Sequence, residues 1–168
     1  MNMLYRGMMN SLIRMAEIVP ECVESIHPDK EMKIYELMEY DFIGFFLYLI
    51  TADHVISDAE LEFINSCYPK AQTREEWMEI AQENKWIRED YLTELPACWP
   101  LFIEADNYLF DTGSDKAGTL TTAFYETFEN LGDLICICEG DLNKTTGIAL
   151  NDFQYMIRCY MERHAKWI

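Results

Sequence analysis

Residues 45–68 read FFLYLITADHVISDAELEFINSCY, and the way this stretch folds decides the reading of the whole chain. Its first third is continuously apolar and stops at Asp53. Leu61, Ile64 and Cys67 then recur at helical spacing. Between the two runs the acids Asp53, Asp58 and Glu60 mark a corner. Ser57 and Glu60 stand at capping-box distance, where the hydroxyl accepts the N–H three residues on and the carboxylate reaches back to the N–H of the cap. Asp58, in the first turn, suits the positive end of the helix dipole. The stretch therefore predicts helices over 33–52 and 58–67, joined by an acidic loop. Asp53 is less well accounted for, because an acid at a helix C-terminus opposes the dipole. A cation bridging Asp53 and Glu60 would relieve that, as would exposure to water.

The pattern has an echo. ISDAELEFINSCY (56–68) aligns without gaps on IALNDFQYMIRCY (148–160), with Ile, Cys and Tyr identical and Glu60 facing Asp152. Upstream of each stands a hydrophobic segment ending in acid, FFLYLITAD (45–53) and DLICICEGD (133–141). Two helix–acidic loop–helix hairpins are expected, with pseudo-symmetry, and pairing them would bury both apolar faces in one core.

The second loop invites comparison with a calcium-binding EF-hand. Counting from Asp141, oxygen-bearing side chains fall at alternate positions (Asp141, Asn143, Thr145), and Asp152 stands where the terminal glutamate would be. Gly147 comes one place late for the turn glycine. The competing reading is a polar loop in which Asn151 caps the last helix, with Gln154 at capping-box distance. The candidate ligands for a divalent cation are thus Asp53, Glu60, Asp141, Asn143 and Asp152.

The run Thr51-Ala52-Asp53-His54-Val55-Ile56-Ser57-Asp58-Ala59-Glu60 resembles the TerB-like (tellurite-resistance) family, whose recurrent pattern is Ala-x-Asp-Gly-x-Ile/Val-x-x-x-Glu between two helices. The resemblance covers Phe45–Tyr68 well and Asp133–Tyr160 loosely. It implies an all-helical, non-catalytic module with two pseudo-symmetric acidic hairpins that bind metal, found in stress-response systems and beside AAA-type ATPases. Asp53 and Glu60 match the family's acids. His54 stands where the family has glycine, a residue suited to a left-handed turn that histidine reaches only at a cost.

Elsewhere, apolar spacing predicts helices over 2–26 (broken or restarted at Pro20), 73–86 (Thr73 and Glu76 forming a second capping box), 100–112, 118–139 and 150–166. No segment alternates convincingly as a strand. The expected fold is all-α, with six to eight helices in a single domain. It comprises an N-terminal arm (1–32), a first hairpin (33–68), a helical insertion (69–117) and a second hairpin (118–168). The wide apolar face of 33–52 makes that helix central. Asp41 falls on that face, and a buried carboxylate there needs partners. A helix terminus is the expected one, a functional cavity the alternative. The four tryptophans are expected to anchor helices on the core.

Of the 168 residues half are hydrophobic, and 13 basic against 30 acidic side chains give a net charge of −17. Residues 34–69 and 89–115 carry no Lys or Arg at all. Such a surface repels phosphate backbones, so nucleic acid is not expected as a ligand, whereas cations or basic protein surfaces are. No apolar run is long enough to span a membrane. Six cysteines without a CxxC or a secretory signal point to a reducing, cytoplasmic setting and to small core residues. No GxSxG, Gly-rich phosphate loop or HExxH occurs, and the three histidines are scattered, so an enzyme is not expected. The function expected is protein–protein interaction through the acidic surface, with a basic partner such as an AAA-type ATPase. Divalent-cation binding by the acidic loops is the alternative.

Overall fold

The computed structural model describes residues 17–27, 33–68, 70–83, 87–88, 91–92, 95–138 and 144–168, with 3, 6, 7, 10, 13 and 14 of the N-terminal stretch. Seven helices are present among them: α1 (Ile18–Ile26), α2 (Ile34–Ile50), α3 (Asp58–Cys67), α4 (Arg74–Glu83), α5 (Cys98–Asp111), α6 (Thr119–Ile137) and α7 (Lys144–His164). A two-residue antiparallel ladder, β1 (Ile87–Arg88) with β2 (Tyr91–Leu92), is the only extended pairing among the described residues. The fold is all-α, as the periodicity requires.

α2 is the hub. Every residue from Gly44 to Ile50 is buried, so this helix is enclosed on all sides, and it packs on α4, α5, α6 and α7. Its aromatic face joins the two expected hairpins. Phe45 lies 4.8 Å from Phe128 of α6 and 4.7 Å from Phe153 of α7 (ring centroids), and Phe42 stacks on Phe128 at 4.6 Å. Gly132 of α6 faces the Leu150 side chain of α7 so closely that a Cβ there would overlap it. α3 stays outside this junction, across a groove from the C-terminal end of α6.

The segment expected as an insertion supplies core. α5 carries the fully buried Trp99 and Phe102, both against Phe124 of α6, and packs on α1 and α6. It begins at Cys98, two residues before the expected start at Pro100. A proline in the first turn removes an N–H that has no intrahelical partner anyway. Pro20 sits likewise in the first turn of α1. Trp77 and Trp99 are buried and Trp167 is half-buried against Gly118, whereas Trp86 lies outside the described residues.

Asp41 is an internal cap. Fully buried on α2, it accepts the N–H groups of Ala97 (3.0 Å) and Cys98 (2.7 Å) at the start of α5. α5 repeats the device through Asp106, which accepts the N–H groups of Leu120 (3.4 Å) and Thr121 (2.7 Å) at the start of α6. Two buried carboxylates thus satisfy orphan donors of successive helices and fix their order in space.

The largest boundary difference concerns α7. The expected start near residue 150 is wrong by more than a turn: the helix begins at Lys144. Asn151 is therefore no cap but a mid-helix residue whose amide donates to the Gly147 carbonyl (2.9 Å), and Gln154 reaches Glu129 of α6 (3.4 Å).

Candidate functional site

The first acidic corner is closed by its own residues. α2 ends at Thr51, whose N–H and hydroxyl both donate to the Leu47 carbonyl (3.0 and 2.6 Å). His54 donates its N–H to the Thr51 carbonyl (2.9 Å) and adopts φ +67°, so the turn is left-handed at a histidine. Histidine is among the side chains that tolerate this region. Asp53, exposed, accepts the Val55 N–H (3.1 Å) in a local turn. The capping box forms as expected, with Glu60 N–H to Ser57 Oγ at 3.2 Å and Ser57 N–H to Glu60 Oε2 at 2.9 Å. Glu60 is buried.

Arg74 of α4 clamps the corner from outside, donating from Nε to the Ile56 carbonyl and from Nη2 to Asp58 (2.5 Å each). The Thr73–Glu76 capping box at the start of α4 positions that arginine. Nothing local to the corner signals this contact, which crosses eighteen positions of the chain.

Of the second set of candidate ligands, Asp141 and Asn143 lie outside the described residues. Thr145 and Asp152 both belong to α7, two turns and so about 10 Å apart along its axis. A helix fans successive side chains around its axis, so the alternating oxygens of an EF-hand loop cannot converge from Lys144 onward. Among the described residues no three His, Cys, Asp or Glu side chains are grouped as metal ligands.

The structure brings Asp152 instead to the end of α2. A cleft of about 130 Å³ is lined by Tyr48, Thr51 and Ala52 on one side and by Thr145, Ile148, Ala149 and Asp152 on the other. It thus joins residues from both expected hairpins, with the first-loop candidates Asp53 and Glu60 outside its described lining. Burial, and after it the charge of Asp152, pushes the Tyr48 hydroxyl up to about 12. Tyr48 is therefore a neutral hydroxyl beside a carboxylate. Sequence reasoning missed Tyr48 and Thr51 as site residues because both read as parts of the apolar end of α2.

A second, more open groove of about 400 Å³ runs between α3 (Ala59, Glu62, Phe63, Ser66) and the end of α6 (Leu134, Ile137, Cys138). Its walls are mainly apolar, with Glu62 the acid at its edge.

Six of the thirty acidic residues are engaged in holding the fold. Asp41, Glu60 and Asp106 cap helices, Asp58 pairs with Arg74, Asp111 with Lys166, and Glu104 with His27 (2.7 Å). The α7 face is different: Ile148, Asp152 and Tyr155, spaced along one stripe, are all exposed, the two hydrophobic ones by 62% and 67%.

Compared with protein-family models, curated proteins and solved structures, the chain matches none. None of the described helices is long and apolar enough to cross a membrane.

Proposed function

We propose that the chain is a non-catalytic helical module of TerB-like type that docks a basic protein surface, with the exposed stripe of α7 as the docking face. The observation that carries this reading is the sequence Ile148–Asp152–Tyr155 along one exposed line: a carboxylate between two large hydrophobic side chains. Interfaces combine such apolar anchors with a charge that selects the partner. The net charge of −17 extends the selection, since it steers cationic surfaces inward and repels nucleic acid. The resemblance of the first corner to the TerB-like pattern makes an ATPase-associated or stress-response system in the cytoplasm the natural setting.

The packing of the two expected hairpins into one core is supported by α2, whose phenylalanines meet both α6 and α7. Divalent-cation binding by Asp53 and Glu60 is the weaker alternative, because the Glu60 carboxylate is buried and already holds the Ser57 N–H.

The test is a photo-crosslinking residue at position 155, with Glu79 of α4 as control site, followed by retention of the partner so identified on the unmodified, uncrosslinked chain at rising salt. Crosslinking specific to position 155, with retention falling steeply as salt rises, is expected. Retention indifferent to salt, or equal crosslinking at both positions, would refute the docking face.

A further inference from the structure

Resting on the docking reading above, we propose that the cleft between the end of α2 and the first turns of α7 is a receptor for a lysine side chain of the partner protein.

The chemistry of the lining selects that group. Among the described residues of the lining Asp152 is the one carboxylate, and Tyr48, Thr51 and Thr145 supply hydroxyl oxygens. Ala52, Ile148 and Ala149 supply apolar walls. Lysine is a compact charge with three donors at the end of a flexible four-carbon stem, so it can bury the stem on apolar walls and direct its donors at scattered oxygens. The C-terminal end of α2, which has no basic residue in its last turn, adds the negative pole of its dipole. The positive pole of α7 lies near Thr145, so the ammonium belongs at the opposite end, between Asp152 and Tyr48.

Other occupants fit less well. Hard divalent cations take six or more oxygens, and the described lining, with one carboxylate and three hydroxyls, makes a poor cage. An anion would meet Asp152. The exposed Ile148 and Tyr155 flank Asp152 along α7, where the residues on either side of an inserted lysine would rest.

The proposal is tested by amide NMR on the full chain with Nα-acetyl-L-lysine amide, using Nα-acetyl-L-norleucine amide as the uncharged isostere. The lysine probe is expected to shift the amides of Thr51, Ala52, Ala149 and Asp152, and the norleucine probe to leave them unmoved. Asp152→Asn should weaken the lysine probe by about fivefold, the worth of one partly exposed ion pair. Ala52→Leu, which plugs the cleft, should abolish the shifts. Circular dichroism establishes that both variants are folded, and Asp152, being exposed, is replaceable without loss of packing. Equal shifts from both probes, or lysine-induced shifts scattered over other acidic faces, would overturn the receptor. Cadaverine binding more tightly than the lysine probe would overturn a protein-borne lysine in favour of a free diamine. Partner docking that survives Ala52→Leu but fails in Tyr155→Asp removes the cleft and leaves the docking face. Salt-indifferent docking with the lysine shifts intact removes the face and leaves the cleft.

Discussion

The corner before α3 and the start of α7 share three identities over thirteen aligned positions and are built differently. At the first, the chain turns at His54 and α3 begins only after Ser57, which caps it. At the second, the residues aligned with Ile56 and Ser57, namely Ile148 and Ala149, already lie a turn inside α7. The buried faces differ as well. α3 buries Glu60, Ile64 and Cys67, whereas α7 buries Thr146, Ala149, Leu150, Phe153 and Ile157. Aligned on burial, Phe153 and not Asp152 corresponds to Glu60, one residue further than the identities suggest. One residue is about 100° of helix, enough to turn an acid from the interior to the surface. Identity suggests one register between the two segments, and burial sets another. Glu60 serves the fold from within, and Asp152 faces a cleft.

The strongest way to break the comparison is to remove what joins the two halves. Phe45→Ala deletes the ring between Phe128 and Phe153 and should lower the unfolding free energy by about 3–5 kcal/mol, measured by denaturant titration. A smaller loss than that of an ordinary core truncation would mean that the halves hold together elsewhere.

Next in size is the buried cap on α2. Burial pushes the Asp41 carboxyl up to about 6 against the pull of the Cys98 and Ala97 N–H groups. A raised acid binds its proton more tightly in the folded state, so its contribution is full below the unfolded value and is lost as pH rises through the folded one. The stability difference between the native chain and Asp41→Asn should therefore fall between about pH 4 and pH 6, by about 3 kcal/mol. A difference that is flat over that window would refute the assignment. Burial raises Asp106 in the same direction.

The comparison itself is sharpened by matched substitutions. Glu60→Ala removes a buried cap and should cost about 1–2 kcal/mol, whereas Asp152→Ala should stay within about 0.5 kcal/mol. Equal costs would restore the equivalence that the sequence identities suggest. His54→Gly should stabilise the chain by about 1 kcal/mol, because glycine adopts the positive φ without the steric cost of a Cβ. The smallest expected effect is from metal: millimolar calcium, magnesium or zinc should leave the melting temperature unchanged. A rise with any of them would favour the cation reading, since a ligand that binds only the native state must stabilise it.

Sequence and structure agree where the determinants are local. The capping boxes at Ser57/Glu60 and Thr73/Glu76 each lie within four residues, and both form. The enclosure of α2 follows from its unbroken apolar run, and the need of Asp41 for a partner from its position on that run. The start of α7 was misread because Asn151 and Gln154 imitate a cap at the right spacing, although Asn151 in fact bonds back to Gly147 within the helix. The Arg74 clamp and the cleft at Tyr48 were not legible, since each joins groups whose proximity no local pattern encodes.

By itself, then, the sequence determined the helical class, the central helix and the capped corners, because side-chain spacing and cap hydrogen bonds act over one or two turns. Only the tertiary structure decided that Asp41 meets the start of α5, that Asp106 meets the start of α6, and that Asp152 faces the end of α2. The physical reason is range. A cap is satisfied within its own turn, whereas a buried carboxylate takes whichever helix terminus packing brings to it.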